Sequence, residues 1–242
     1  MRENMNLYDN PEFFEAYAQM DRSRFGLSAA GEWPQLSRIL PDLSGLTVLD
    51  LGCGYGWHCE YCARCGAKSV LGLEMSERML HIAACERAYP NVEYRLCDLL
   101  QYEYPQESFD LVLSNLVLHY VQDLDWVFAR VYQTLKPGGT FVCNIEHPVF
   151  TAGVNQEFVI SSGEIEHWPV DNYFYPGERR CSFLGHEVVK QHHTLTQIVM
   201  GLLKVGFVLE VLEEVEPPES FRDAMPEEMK RPMMLLIRCR KA

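Results

Sequence analysis

A chain of 242 residues, 48% of them hydrophobic, is long enough for one α/β domain with an elaboration and too apolar for a disordered protein. Its 34 acidic against 21 basic residues leave a formal net charge of −13, which repels a phosphate backbone over most of the surface and argues against a nucleic-acid partner. No run of 18 apolar residues is present to span a membrane, and Met1-Arg2-Glu3-Asn4-Met5-Asn6 lacks the apolar stretch of a secretory leader. The nine cysteines are therefore read as reduced thiols of a cytoplasmic protein.

In chain order, 11–20 reads as a helix with Asn10 as its N-cap and Pro11 in its first turn. A second helix is expected over 29–39, and 1–44 as a whole as a helical cap on a single domain, 1–242. Strand and helix then alternate. Strands are predicted near 46–51, 69–74, 91–95, 109–114 and 139–146, and helices near 56–65, 76–87 and 123–135. Ser76 and Glu77 mark a helix start, and Lys136-Pro137-Gly138-Gly139 a helix stop and tight turn. From 147 to 193 the periodicity fades among Trp168, Tyr173, Phe174, Tyr175 and Phe183. So long a connection inside one domain reads as a lid or substrate-binding insertion holding a small hairpin. A helix at 194–204 stops at Gly206, and 207–215 and 233–240 read as final strands. Lys230, Arg231, Arg238, Arg240 and Lys241 alternate with apolar residues, as at the solvated ends of a last strand.

Repeated βα units imply a parallel sheet with helices on both faces and a ligand site at the carboxyl ends of its strands. Asp50, Glu74, Asp98 and Asn115 fall at or just past four such ends. Between the first strand and its helix lies Asp50-Leu51-Gly52-Cys53-Gly54-Tyr55-Gly56, a turn whose backbone a ligand can approach closely. Trp57 stands where the dinucleotide fingerprint G-x-G-x-x-G would have its third glycine.

The D-x-G-x-G-x-G spacing resembles the first motif of the class I S-adenosylmethionine-dependent methyltransferases. The run from Phe109 to Tyr120 is similar to their fourth strand and following loop, and Leu135 to Gly139 to the turn before their fifth. The resemblance spans about 46–146. Glu12-Phe13-Phe14 with Tyr17, Glu146 to Thr151, and Arg231 to Met234 resemble a poorly characterised branch of that family. It implies a Rossmann-like three-layer α/β fold of about seven mostly parallel strands in the order 3-2-1-4-5-7-6. It also implies S-adenosyl-L-methionine as cofactor, held by Asp50, Gly52, Cys53, Gly54, Glu74, Met75, Asp98, Leu99, Asn115 and Leu116, with Tyr17 closing over it or else packing in the core. His119 and His147, just past the fourth and fifth strands, are candidate bases because histidine titrates near neutrality.

Three patterns point elsewhere and are set aside. Cys59, Cys62 and Cys65 spell C-x-x-C-x-x-C, but on a helix the outer two lie about 9 Å apart along the axis, too far to share one metal. Tyr132 and Lys136 fit a dehydrogenase Y-x-x-x-K pair without its upstream serine. The histidines lack the spacing of helical metal ligands, so no metal is expected. Ser114-Asn115-Leu116-Val117 is not the Pro-Pro-Tyr signature of amino methylation on nucleic acids, and no Pro-Cys nucleophile is present. The sequence therefore reads as a methyltransferase moving a methyl group to an O, N, S or C nucleophile of a small-molecule acceptor by in-line displacement. An NAD(P)-dependent oxidoreductase and a non-catalytic cofactor-binding module remain as alternatives.

Overall fold

Asn10 starts the first helix as its side chain predicts, accepting hydrogen bonds from the Glu12 and Phe13 amides. The structure, a computed structural model, describes residues 6–153 and 155–242. The leader expectation therefore rests almost wholly on residues outside this range. Helix α1 (Pro11–Ala18) is followed by α2 (Asp21–Phe25) and α3 (Trp33–Ile39). The second predicted helix is thus shorter than 29–39. It begins beside Pro34, which lacks an N–H and fits a first turn, after a 3₁₀ turn over Gly26–Ala29. Gly26 adopts φ +64° and passes so close to the Trp57 ring that a Cβ would sit 2.5 Å from it.

The alternating region supplies β1 (Thr47–Leu51), α4 (Trp57–Arg64), β2 (Ser69–Glu74), α5 (Glu77–Glu86), β3 (Val92–Leu96), β4 (Phe109–Asn115), α6 (Leu124–Thr134) and β5 (Leu135–Glu146). Next come α7 (Pro148–Ala152), the short strands β6 (Val159–Ser161), β7 (Glu164–His167), β8 (Gly177–Phe183) and β9 (His186–His192), then α8 (Leu195–Val205), β10 (Phe207–Glu214), α9 (Glu219–Ala224) and β11 (Met234–Lys241). The large sheet runs β10-β11-β5-β4-β1-β2-β3, which is 3-2-1-4-5-7-6 when only its own strands are counted. β1 to β5 are parallel, and β11 is antiparallel to both neighbours.

β5 begins four residues earlier than the predicted 139. Leu135 pairs with Phe109, and Thr140 already pairs with Leu111, so Lys136 to Gly139 arch out of the sheet instead of preceding it. Gly138 makes the arch with φ +77°. Lys136 Nζ then reaches Asp110 Oδ2 at 2.8 Å, and the same oxygen accepts the Thr47 amide at 2.9 Å. Three strands are tied together by one turn.

Alternation along the strands sends Leu49, Leu51, Val112 and Phe141 to one face, against Val127, Phe128 and Val131 of α6 and Ile198 and Leu202 of α8. Val48, Leu111, Leu113 and Val142 face the other side, against Leu36 and Ile39 of α3 and Cys59 and Cys62 of α4. Each such side chain contributes about 1.5–3 kcal/mol by leaving water. Thr194 and Gln197 form a capping box at the start of α8, and Gly206 ends it in the left-handed conformation.

The 147–193 region holds two hairpins, β6–β7 and β8–β9, where one was predicted. β8 turns Arg179 and Cys181 inward, and β9 turns Val188, Lys190 and His192 inward. Three of these five inward positions are polar, so the apolar alternation that betrays a strand is missing. Arg179 satisfies its guanidinium on the carbonyls of Ala152, Asn172, Tyr175 and Glu178. His192 bonds the Thr151 hydroxyl and the Tyr173 carbonyl. The β8–β9 hairpin packs on α1, with Phe183 and His186 against Phe13. Among the described residues no helix is long and apolar enough to cross a membrane.

Candidate active site

The glycine loop leaves β1 with Gly52 at φ +75°, Gly54 at +54° and Gly56 at +79°, all in the region that L side chains avoid. Their surroundings differ. A Cβ on Gly52 would lie 2.4 Å from Val117, and one on Gly56 2.5 Å from the Tyr94 hydroxyl. At Gly54 the nearest atom is Met79 Sδ at 3.8 Å. Two glycines are thus demanded by packing, whereas a Cβ on the middle one would meet only Met79, in ordinary van der Waals contact. The Gly52 and Cys53 amides both donate to the Leu73 carbonyl at the end of β2.

Glu74, the last residue of β2, closes the loop from the other side. One carboxylate oxygen accepts the Gly54 amide at 3.0 Å, and the other the Met75 and Ser76 amides at 2.8 and 2.9 Å. Burial raises the Glu74 pKa, and these three amides only partly offset it. Ser76 caps α5 through Met79 and donates to Asp9, binding the N-terminal segment to this rim.

Asp50 is buried beneath the loop, where Cys59 donates its thiol at 3.3 Å. Desolvation pushes the Asp50 carboxyl up to about 7, against the Cys59 hydrogen bond. The three cysteines of C-x-x-C-x-x-C have separate surroundings: Cys59 meets Asp50, Cys62 lies in the core, and Cys65 is exposed. Trp57, the residue that breaks the dinucleotide spacing, lies under the Arg87 guanidinium at 3.4 Å and against Gly26. That departure therefore serves to dock the N-terminal segment.

Tyr17 is half-buried among aromatics, edge-on to Tyr8 and to Tyr55 of the glycine loop. Asp98 accepts the Leu100 amide at 2.9 Å, forming its own turn, while Leu99 is half-buried against the core. Met75 is 52% exposed beside Glu74, an apolar surface where a planar base has something to rest on. Leu116 takes φ +58°. Asn115 donates to Glu32 at 3.1 Å and accepts from Asn144 at 2.9 Å. Glu32, also paired with Arg22, is buried. Burial alone would raise its carboxyl, but Arg22 and Asn115 hold it below its ordinary value.

These groups fit S-adenosylmethionine. Glu74 would offer a carboxylate to ribose hydroxyls, Asp50 a carboxyl beneath the loop on the side of an ammonium, Gly54 a backbone open to close approach, and Met75 an apolar bed for adenine.

At the ends of β4 and β5 stands a second cluster. His119 is buried in the turn after β4, with Nε2 3.8 Å from Glu146 Oε1. Lys190 of β9 donates to that same oxygen at 2.5 Å. His119 Nδ1 and Glu146 Oε2 are buried with no partner among the described residues. Burial lowers the His119 pKa to about 4; Glu146 opposes the shift and Lys190 adds to it. His147 is placed differently. Its Nδ1 accepts the Val149 amide at 3.0 Å, capping α7, and its Nε2 lies 3.0 Å from Glu214 of β10. Both ring nitrogens are committed away from His119.

The structure thus gathers Asp50, the glycine loop, Glu74 and Met75 on one rim and His119 on the adjoining one. Glu32, Asn144, Glu146 and Lys190 are additions. Asn144 and Glu146 carried a readable signal, since both lie at the end of a predicted strand; the register that pairs Asn144 with Asn115 comes from the structure. Lys190 carried none, because its strand has no apolar alternation.

Residues 49–143 match the family described as "Methyltransferase domain". A candidate S-adenosylmethionine-dependent methyltransferase from Listeria monocytogenes is 44% identical, with a TM-score of 0.85, over 90% of this chain and 99% of that one. An S-adenosylmethionine-dependent methyltransferase from Mesorhizobium loti is 40% identical, with a TM-score of 0.83, over 89% and 100%. A ubiquinone biosynthesis O-methyltransferase from a Bradyrhizobium strain is 35% identical over 48% of this chain and 46% of its own length, so the likeness spans about half of that relative. These similarities do not favour the oxidoreductase alternative. With the strand order, the glycine loop and its acidic rim, they make this chain a member of the class I S-adenosylmethionine-dependent methyltransferases, an enzyme with S-adenosylmethionine as its cofactor.

Proposed function

We propose that the protein methylates a small-molecule acceptor held between the ends of β4 and β5 and the 147–193 insertion, which acts as its lid. The observation that carries this reading is the cover over those strand ends. Lys190 of β9 bonds Glu146 at the end of β5, while Phe183 and His186 of the same hairpin rest on Phe13 of α1. Strand ends covered in this way suit a small acceptor better than a nucleic acid, as does the net charge of −13.

Bound S-adenosylmethionine supplies an electrophilic methyl on sulfur, so the protein's work is alignment and exclusion of water. Asp50 and the backbone from Gly52 to Gly54 take the amino-acid end, Glu74 and Met75 the ribose and its flank, and Asp98 and Leu99 the adenine edge. Asn115 and Leu116 form the floor beneath the methyl group, and Tyr17 with its aromatic neighbours closes the N-terminal side. His119 removes the acceptor's proton. His147 is left to cap α7. The 1–44 cap and the insertion belong to one domain because residues from both line the same centre. The name of the Bradyrhizobium relative, an O-methyltransferase, supports an oxygen acceptor. The nine free thiols suit a cytoplasmic enzyme.

The test incubates the purified chain with S-adenosylmethionine and a panel of alcohols, phenols, thiols, amines and carboxylates, following S-adenosylhomocysteine and methylated product by mass spectrometry. Methylation of a panel member is the expected result. Methylation of protein or RNA alone overturns the small-molecule reading. Cofactor binding without turnover on any substrate leaves the non-catalytic module.

A further inference from the structure

We propose that the insertion completes a proton-accepting site for a phenolic or enolic hydroxyl, in which Glu146 positions the His119 imidazole and Lys190, carried in by β9, positions Glu146. The proposal rests on the small-molecule reading above and adds the acceptor's chemistry.

Three residues from distant parts of the chain meet in a buried place. Lys190 holds Glu146 Oε1 at 2.5 Å, and that oxygen faces His119 Nε2 at 3.8 Å. A carboxylate on the Nε2 side favours the tautomer with its N–H there, which leaves Nδ1 as a lone pair. Nδ1 and Glu146 Oε2 are both buried without partners among the described residues. Burying polar atoms unpaired is costly, so the arrangement makes sense when something brings a donor to them. Both atoms accept hydrogen bonds, hence the ligand must donate.

Charge narrows the class. With His119 neutral, the Lys190 ammonium and the Glu146 carboxylate cancel. A carboxylate or ammonium on the acceptor would enter a buried site whose own two charges are already paired with each other, and would find no opposite charge left for it. The other titratable groups facing His119 are Tyr120, the next residue, Tyr8, bonded to the Tyr120 hydroxyl at 3.0 Å, and Cys181 of β8, close to Lys190 and Glu146. Burial raises all three pKa values, so they stay uncharged. A neutral O–H donor fits. Phenols lose their proton near 10, as tyrosine does, and are far better matched to a weak buried base than aliphatic alcohols. The walls agree: Tyr8, Tyr120, Phe150 and Phe183 surround the cluster, the last two beneath Lys190 Nζ at 5.6 and 5.8 Å.

In the step itself the acceptor oxygen forms a bond to the methyl carbon as the carbon–sulfur bond breaks and its electron pair returns to sulfur. The O–H bond breaks and its proton passes to His119 Nδ1.

The test is NMR of histidine-labelled full-length protein, with the His119 signal assigned through His119→Gln. Wild type should titrate at His119 near pH 4. Lys190→Met should raise that midpoint by about one unit or more, because Glu146 is then unopposed. In a Glu146→Gln background the same change should do nothing. The double variant buries no lone charge, so it reports even where Lys190→Met alone fails to fold. With S-adenosylhomocysteine present, phenol should shift the His119 Nδ1 resonance in wild type but not in Glu146→Gln, and benzoate and benzylamine should leave it in place. A midpoint indifferent to Lys190, a lysine effect that survives Glu146→Gln, silence with phenol, or an equal response to benzoate or benzylamine overturns the proposal. Phenol methylation alongside any of these outcomes leaves the small-molecule reading standing. Absence of all small-molecule methylation defeats that reading whatever His119 does.

Discussion

The two halves of the active site are built on different plans. The proposed cofactor rim is assembled from residues close in sequence: Asp50 lies near the end of β1, Gly54 in the loop that follows, and Glu74, at the end of the neighbouring strand, bonds that loop and its own two successors. The proposed acceptor end draws His119, Glu146 and Lys190 from three elements, one of them a hairpin outside the main sheet. The first plan is local, dominated by backbone amides, and depends on glycine conformation. The second is side chain on side chain and depends on the insertion being docked. A site so divided can keep one cofactor while its acceptor changes with the insertion.

The sharpest way to break the local plan separates two of its glycines. Gly54→Val should fold at a cost in backbone strain alone, yet lose S-adenosylmethionine affinity by about 100-fold or more in calorimetry, because its side chain stands where the cofactor would approach the loop. Gly52→Val should instead cost stability, by about 1–3 kcal/mol from overpacking against Val117 plus backbone strain, read as a lower unfolding midpoint. Equal effects of the two substitutions on affinity and on stability would erase the distinction between packing and ligand glycines.

On the acceptor side, His119→Ala should lower turnover about 100-fold while leaving cofactor affinity within a factor of two. His147→Ala should leave turnover nearly unchanged and cost about 1 kcal/mol of stability through the lost α7 cap. Comparable losses of turnover would show that His147 also reaches the acceptor.

A smaller effect tests the rim through pH. The buried Asp50 has a folded pKa of about 7 against an ordinary value of 3.8. Between those values the folded protein binds more protons than the unfolded one, so stability contributed by Asp50 falls as pH rises from about 4 to about 7. Asp50→Asn should abolish that fall and stabilise the cofactor-free protein at pH 8 relative to wild type by on the order of 1 kcal/mol or more. Denaturant unfolding at pH 5 and pH 8 measures it. A fall that persists in the variant would assign the titration to another carboxyl, Glu74 being the next candidate because its pKa is also raised by burial.

The legibility of the chain follows the same division. β2 was readable to the residue because Ser69–Glu74 is a continuous apolar run ending in an acid. The edge strand β3 shifted by one residue, from 91–95 to Val92–Leu96, because its burial is partial and its pattern weak. The start of β5 escaped because Lys-Pro-Gly-Gly signals a turn, and only pairing with Phe109 and Leu111 shows that the turn is an arch inside a strand. The position of His147 after a strand is legible, but the cap it makes depends on the direction in which α7 leaves, and its partner Glu214 is 67 residues away.

The sequence by itself determined the parallel strands of the sheet and the glycine loop, and the resemblance carried by its motifs implied the strand order. The strands and the loop rest on apolar periodicity, glycine positions and an acid at a strand end, all of which act over a few residues. The tertiary structure alone decided how Trp57 and Gly26 fit together, how Arg22, Glu32, Asn115 and Asn144 connect, and that Lys190 comes to lie on Glu146. A buried charge is stable only where the fold brings a partner to it, and nothing within a few residues of Lys190 announces that partner.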